Sequence, residues 1–308
     1  MNDFSRKKIV FFVGAAKAGT TSLYRALSRT EAIHLPKIKE PNFFSRGNSL
    51  IPGSGPGDIY ATDKLSSLSE YLGNLNYGSV DKSIYLSDFS VSYLYDDKAA
   101  ENIYRQFPQS KIVIVLRNPV IRAFSHYKHL RRDMRETLSF REALDIEEER
   151  ILQGFEFSWH YKNMGFYYKQ VKRYVDLFGS ANVKVFIYEE VFKDEKRFFE
   201  ELAGFLDCSC VADIQFDKSK FNQTGIPRNM FLAKVLNRPN LFRHLVKLIL
   251  PRKVGGVIAE NLRAINFSKD KLELSEDDYS YLHSYYLDDI SSLSRLVRKD
   301  FSLWGYTS

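Results

Sequence analysis

IVFFV (9–13), GAAKAGTT (14–21) and SLYRALS (22–28) follow one another near the start of this 308-residue chain. The first run is apolar and β-prone, and two leucines four residues apart in the third run share one helix face. The stretch therefore predicts a strand, a glycine loop and a helix. Its GxxxxG spacing is typical of a loop whose backbone amides and helix N-terminus surround a phosphate, although an ordinary strand-to-helix turn has the same spacing.

Two more apolar runs predict buried strands, each followed by helical spacing. KIVIVL (111–116) is followed by ArgAsnPro (117–119) and a helical stretch through His129, and VKVFIY (183–188) is followed by a helical run over 196–206. Strands that alternate with helices form βαβ units around a parallel sheet. We therefore expect an α/β fold of the P-loop type, with three layers in which helices flank a central, mainly parallel sheet.

The rest of the chain is predicted to elaborate one domain. Glycines and prolines mark residues 46–58 as a loop, and a helical pattern resumes over 60–75. From residue 229 onward the pattern is mostly helical, with the longest candidate over 272–297. No clear linker separates these parts, so we expect residues 1–308 to form a single domain with an insertion near 46–80 and a helical C-terminal part.

The composition indicates a folded protein with an anionic partner. Apolar residues make up 44% and charged residues 27% of the chain, which excludes a disordered tail or a collagen-like repeat. The 45 Lys and Arg against 38 Asp and Glu give a net charge of +7, which fits nucleic acid, a lipid headgroup or a phosphorylated metabolite. The first apolar run is too short for a signal peptide or a membrane span, so we expect a cytoplasmic protein.

The glycine loop lacks the residues that a nucleoside triphosphatase needs. Such an enzyme has Lys directly after the second glycine and then Ser or Thr on Mg²⁺, whereas this chain has Thr20 and Thr21 there and its lysine at Lys17. The second strand leads into Arg117, where a triphosphatase has use for a magnesium-binding Asp. These residues predict a metal-free anion site. Two alternatives stay open: a kinase or NTPase that uses ATP and Mg²⁺ through GluGlu (189–190), and a basic nucleic-acid-binding module.

KAGTTSL (17–23) and LRNPVIRAFSHY (116–127) resemble the two cofactor signatures of the sulfotransferases that use 3′-phosphoadenosine 5′-phosphosulfate (PAPS). The resemblance continues in KEPNFF (39–44), in FIYEE (186–190) and over 274–304, and it is closest to the carbohydrate-modifying branch with its bacterial and heparan-type members. It implies transfer of a sulfuryl group to a hydroxyl, or less often an amine, of a saccharide or glycoconjugate, with adenosine 3′,5′-bisphosphate as the second product. Neither a metal nor a nucleic-acid partner is implied.

The motif positions also imply how the donor is held. Lys17 would neutralise the charge that develops on the leaving phosphate, and Arg117 with Ser125 would bind the 3′-phosphate. Arg228 either adds a phosphate contact or belongs to a plain turn, and Arg122 is a candidate for support behind the site. The positions implied to hold the 5′-phosphate are Ala18, Gly19, Thr20, Thr21 and Ser22.

Glu40 is implied to be the general base, a role that needs a carboxylate within hydrogen-bond reach of the attacking group. Its alternative role is that of a surface glutamate paired with Lys37 or Lys39. Two positions depart from the heparan-type pattern, which has His at the position of Asn42 and Lys at the position of Phe89.

Three further features each have two interpretations. Asp88 either assists the general base or caps a turn. The cluster of Arg131, Arg132 and Arg135 is either a solvated helix face or a contact for an acidic glycan. Residues 231–253 form a basic amphipathic stretch that either packs on the domain or makes a peripheral contact with an anionic membrane.

Overall fold

The centre of the protein is a five-stranded sheet. Its strands are β1 (Lys8–Gly14), β2 (Ile33–His34), β3 (Tyr85–Asp88), β4 (Lys111–Leu116) and β5 (Val183–Ile187). They are arranged in the order β2-β3-β1-β4-β5, and every adjacent pair is parallel. Two further short strands, β6 (Ile226–Pro227) and β7 (Phe267–Ser268), pair antiparallel in a separate sheet. The predicted fold class, a mainly parallel sheet flanked by helices, is confirmed.

The computed structural model describes residues 8–45, 53–58, 65–76, 85–217, 226–227, 267–268 and 272–306, with backbone alone at the two dipeptides. The helices within these ranges are α1 (Thr20–Leu27), α2 (Leu68–Asn74), α3 (Ala99–Gln106), α4 (Pro119–Arg132), α5 (Phe140–Asp145), α6 (Glu147–Leu152), α7 (Tyr167–Phe178), α8 (Tyr188–Lys193), α9 (Glu195–Leu206), α10 (Glu276–Ser284) and α11 (Leu287–Val297).

The three strands predicted from the sequence are β1 at the centre of the sheet, β4 beside it and β5 at the edge. Their bounds agree with the prediction to within one residue. In β1 every residue after Lys8 is buried, and in β4 every residue after Lys111 is buried. Strands of a parallel sheet that helices cover on both faces are apolar without alternation, which is why these runs are recognisable in the sequence. All five carboxyl ends lie at one edge, where open α/β sheets bind their ligands.

The predicted helix over 272–297 is in fact two helices. The side chain of Ser275 caps the first by accepting from the amide of Asp278 at 3.1 Å, so α10 begins at Glu276. Between α10 and α11 the chain turns at Tyr286, whose ring is fully buried and whose hydroxyl donates to the carbonyl of Lys162 at 2.8 Å. The buried residues Leu282, Tyr286 and Ile290 are four residues apart, which is the spacing of one helix face. The sequence pattern therefore continues through the turn as if the helix were unbroken.

The C-terminal segment is fastened to the carboxyl end of β4 through Trp304. Its indole Nε1 donates to Glu189 Oε2 at 2.8 Å, and the other carboxylate oxygen of Glu189 accepts from the amide of Asn118 at 3.3 Å. The side-chain amide of Asn118 in turn donates to the carbonyl of Trp304 at 3.3 Å. The Asn118 side chain also caps α4, accepting from the amides of residues 120 and 121. The end of the chain therefore helps to fix the start of α4.

We expect Trp304→Phe to lower the free energy of unfolding by about 2 kcal/mol, because the half-buried carboxylate of Glu189 loses a hydrogen-bond donor. Urea unfolding measures this as a lower midpoint with an unchanged m-value. Leu303→Ala is the matched control, since that side chain is 59% exposed and its removal should change stability by less than about 0.5 kcal/mol. A Trp304→Phe variant as stable as the wild type would contradict the proposed fastening.

Candidate active site

The loop between β1 and α1 has the geometry of an anion cradle. Gly19 takes the N-cap position of α1 with φ of 81°, and a Cβ there would lie 2.8 Å from a ring carbon of Phe192. Position 19 therefore requires glycine for both its backbone angle and its close packing. The amides of Thr20 and Thr21, at the start of the helix, have no acceptor within the helix. The amide of Ser22 differs, because it donates to the carbonyl of Gly19 at 2.9 Å.

Lys17 sits at the top of this loop with a left-handed backbone, φ of 69°. The pKa of its ammonium is lowered to about 8, chiefly by burial and also by the nearby charges of Arg132 and Arg117. The charges of Asp133 and Glu40 act in the opposite direction and are included in that value. Lys17 is thus a partly desolvated cation surrounded by charged groups from several elements, and such groups are common in active sites.

Arg117 connects the carboxyl end of β4 to the Lys17 loop. Its Nη1 donates to the carbonyl oxygen of Lys17 at 3.0 Å, and its guanidinium lies over the ring of Tyr188 at 4.5 Å. Its Nε is buried and has no hydrogen-bond partner among the residues that the structure describes. The structure thus places the two predicted anion sites next to each other.

Ser125 lies half-buried on α4, one helical turn before Lys128. Burial lowers the pKa of Lys128, and the charge of Arg117 lowers it as well. Ser125 and Lys128, three residues apart, lie on the same side of α4. Lys128 lies outside the sequence motifs. A single lysine in a helix does not by itself indicate a position near a binding site.

Arg122 lies behind the site. It is fully buried, with Nη2 donating to the carbonyl of Tyr161 and Nη1 lying 3.9 Å from the sulfur of Met164. These contacts join α4 to the segment before α7. Its role as supporting structure is consistent with this position.

Glu40 lies in a loop of residues 36–42, and its charge acts on Lys17. Its Oε1 is 3.0 Å from the Nζ of Lys39, which is also 3.0 Å from the hydroxyl oxygen of Thr21. The ion pair with Lys39 is the contact expected of a surface glutamate. The charge of Glu40 also acts on Lys17, and its role as the general base stays a prediction.

Residues 36–42 are fixed at both ends by two asparagines. The side-chain oxygen of Asn74, on α2, accepts from the amide of Ile38 at 2.7 Å. The backbone carbonyl of Asn74 accepts from the amide of Lys37 at 3.1 Å. Asn42 donates from its side chain to the carbonyl of Glu40 at 2.6 Å, and its amide donates to the hydroxyl of Ser90 at 3.1 Å. Asn42, which replaces the His of the heparan-type pattern, is thus a buried structural residue.

Asp88 is fully buried at the end of β3. One carboxylate oxygen accepts from the hydroxyls of Tyr71 and Tyr93 at 2.9 and 3.0 Å, and the other accepts from Ser90 at 2.7 Å. Burial raises its pKa to about 6 despite these hydrogen bonds. Ser90 accepts from the amide of Asn42 and donates to Asp88, so Asp88 supports the loop of Glu40 through Ser90.

The arginine cluster at the end of α4 divides into different roles. Arg131 donates to the carbonyl of Thr137 at 2.8 Å, and Arg135 donates to the carbonyl of Pro56 at 2.9 Å and to the carboxylate of Asp58. Both are therefore structural. Arg132 is the member of the cluster whose charge acts most strongly on Lys17.

Asp58 attaches the described part of the predicted insertion to the domain. Its side chain is fully buried and accepts from Arg135, from the indole of Trp159 at 2.8 Å, and from the amides of Gly55 and Glu156 at 2.8 and 3.0 Å. Residues 53–58 are therefore held against the end of α4, on the same helix terminus as Arg132.

Some predicted features lie outside the described residues, namely Arg228 and the basic stretch 231–253. In the ranges that the structure covers, no helix is long and apolar enough to cross a membrane. The same ranges contain no group of three or more His, Cys, Asp or Glu side chains able to hold a metal ion. Glu189, the magnesium ligand of the kinase alternative, instead accepts hydrogen bonds from Trp304 and Asn118.

Comparison with known proteins assigns this arrangement to a family. Residues 7–230 match the family described as Sulfotransferase domain. A sulfotransferase from Alicyclobacillus acidocaldarius is 32% identical, with 97% of this chain and 99% of that chain covered and a TM-score of 0.74. The chain belongs to the sulfotransferase family and is a PAPS-dependent sulfotransferase. This assignment replaces the kinase and nucleic-acid alternatives.

Two further solved structures match at lower identity. Mouse sulfotransferase SULT7A1, solved in complex with PAP, is 16% identical, with 95% of this chain and 88% of that chain covered and a TM-score of 0.46. The sulfotransferase domain of the Synechococcus PCC 7002 olefin synthase is 14% identical, with 91% and 96% covered and a TM-score of 0.42. No curated protein matches the sequence.

We expect Asp88→Asn to remove a pH dependence of stability. Because burial raises the pKa of Asp88 from its ordinary 3.8 to about 6, the folded protein binds this proton more tightly than the unfolded chain. The free energy of unfolding of the wild type should therefore rise by roughly 1 kcal/mol, relative to the Asn variant, from pH 7 to pH 5. Urea denaturation of both proteins at the two pH values measures the difference. If the free energies of unfolding of the two proteins changed equally between these pH values, Asp88 would not have a raised pKa.

We expect affinity for adenosine 3′,5′-bisphosphate to fall about tenfold between pH 7 and pH 9, because Lys17, whose pKa is about 8, loses its charge. Calorimetry can follow this, since phosphate groups are already ionised in that range. Arg132→Gln should move the decline to higher pH and Asp133→Asn to lower pH, the directions in which each charge acts on Lys17. A decline that persists in Lys17→Ala would show that another group titrates.

Proposed function

We propose that this sulfotransferase transfers the sulfuryl group of PAPS in line to a hydroxyl, less often an amine, of a saccharide or glycoconjugate. The observation that carries the proposal is the hydrogen bond from Arg117 to the Lys17 carbonyl. That contact supports the proposal, because it joins the loop proposed for the 5′-phosphate to the residue proposed for the 3′-phosphate. The charge of Glu40, the proposed base, acts on the same lysine.

The residues proposed to hold the donor form two groups. Arg117, which donates to the Lys17 carbonyl, and Ser125 bind the 3′-phosphate. Arg228 is proposed to add a phosphate contact. The loop supplies amide and hydroxyl donors for the 5′-phosphate from Ala18, Gly19, Thr20, Thr21 and Ser22. The amide of Ser22 is already used by Gly19, so its contribution is the hydroxyl.

Catalysis is proposed to rest on two residues. PAPS supplies a sulfuryl group that leaves a phosphate oxygen. Glu40 accepts the proton of the acceptor hydroxyl as that oxygen forms its bond to sulfur. The bond from sulfur to the bridging oxygen breaks, and the electron pair stays on the phosphate, whose growing charge the Lys17 ammonium stabilises. Sulfur keeps its oxidation state, so the step needs no redox partner.

Charge around Lys17 supports a hydroxyl over an amine. Arg117 and Arg132 both act on Lys17 as like charges. An amine is protonated at neutral pH, so these cations would repel it and a base would have to remove a proton before attack. A neutral hydroxyl is not repelled by these cations, and its proton passes to Glu40 during the attack and not before it. Support for a saccharide acceptor comes from the KEPNFF motif (39–44), which follows the carbohydrate-modifying branch.

We expect the protein to bind adenosine 3′,5′-bisphosphate without Mg²⁺ and to bind ATP at least tenfold more weakly, because ATP lacks the 3′-phosphate for Arg117.

Lys17→Ala should nearly abolish sulfate transfer, whereas Glu40→Gln should lose transfer and keep donor affinity within about twofold. Calorimetry with EDTA present measures the affinities. Transfer is measured with PAPS and a panel of glycans, phenols and amines. Loss of donor binding in Glu40→Gln would refute the base assignment, and transfer to phenols alone would refute the saccharide.

A further inference from the structure

Lys39 lies between the phosphate-binding loop and the proposed general base. Its Nζ is 3.0 Å from the hydroxyl oxygen of Thr21, in the first turn of α1. The same nitrogen is 3.0 Å from Oε1 of Glu40. Its side chain is 26% exposed, so the ammonium is partly sheltered and still open to a ligand. An ammonium has three N–H donors, and these two contacts use two of them.

An aromatic stack supports this position. The Lys39 ammonium lies over the ring of Tyr24 at 5.8 Å, within the range of a cation–π interaction. The ring of Phe89 packs edge to face against Tyr24, with 5.2 Å between the ring centroids. The Phe89 ring also stacks parallel to that of Phe12, with 4.0 Å between the centroids. Phe89 replaces the Lys of the heparan-type pattern. The structure thus has a buried aromatic residue at that position, in edge contact with the Tyr24 ring over which the Lys39 ammonium lies.

We propose that the ammonium of Lys39 binds an oxygen of the sulfuryl group of the donor. This inference rests on the proposed function. With the 5′-phosphate at the start of α1 and the acceptor hydroxyl at Glu40, an in-line transfer places the sulfuryl group between Thr21 and Glu40. Lys39 is the residue that contacts both of these side chains.

Such a contact assists the reaction without taking part in bond making. The bond from sulfur to the phosphate oxygen breaks, the bond from sulfur to the acceptor oxygen forms, and the proton goes to Glu40. Lys39 stays protonated throughout and offsets negative charge on the sulfuryl oxygens. When the donor is present, its sulfuryl oxygens compete with Glu40 for Lys39, which leaves the carboxylate available to the acceptor.

The experiment compares two donors of similar charge. PAPS carries a phosphosulfate at its 5′ end and adenosine 3′,5′-bisphosphate carries a phosphate there, each with about two negative charges at pH 7.5. The ratio of their affinities therefore reports contacts to the sulfuryl group. For Lys39→Gln we expect affinity for PAPS to fall about tenfold, the loss of one charge-assisted hydrogen bond, and affinity for the bisphosphate to change less than twofold.

Lys37→Gln is the matched control, because it removes the same charge from an exposed position in the same loop and should leave both affinities unchanged. Thermal unfolding of both variants checks that each is folded. An equal loss for both ligands in Lys39→Gln would place Lys39 on the phosphate and overturn the inference, as would no loss for either. A wild-type protein that binds neither ligand would instead refute the proposed function.

Discussion

The hydrogen bond from Arg117 to the Lys17 carbonyl determines how the rest of the site is arranged. It joins the carboxyl ends of β1 and β4, which are neighbours in the sheet. The left-handed backbone of Lys17 turns that carbonyl toward Arg117 and leaves the ammonium near Glu40 and Arg132. Changing the register of these two strands would separate Lys17 from Arg117, so the proposed catalytic arrangement depends on the parallel sheet beneath it.

Much of the fold is predictable because buried parallel strands carry continuous apolar runs. β1, β4 and β5 are recognisable in this way, and the glycine loop gives the positions of Lys17 and Gly19. β2 has two residues and β3 four, too few for any periodicity to identify. The turn at Tyr286 escapes prediction for the opposite reason, because its spacing is compatible with an unbroken helix.

The site is predictable where a motif fixes a local geometry, and not where it depends on distant contacts. Lys17, Arg117 and Glu40 come from motifs, and the structure brings them together. The sequence indicates Lys39 only as an ion-pair partner, since its contact with Thr21 joins residues 18 positions apart. The sequence does not distinguish Arg132 from the two other arginines of the cluster. Only the contacts in the structure show that Arg131 and Arg135 have structural roles.

The buried carboxylate of Asp58 has a consequence for anyone who wishes to redesign this enzyme. Loop grafting is a common route to new selectivity, and the stretch around residues 53–58 is an obvious candidate. A transplanted sequence lacking this aspartate would leave the guanidinium of Arg135 and the indole of Trp159 without their shared acceptor. Since Arg135 follows α4 directly, the damage would reach the helix end that carries Arg132. A successful graft has to retain Asp58.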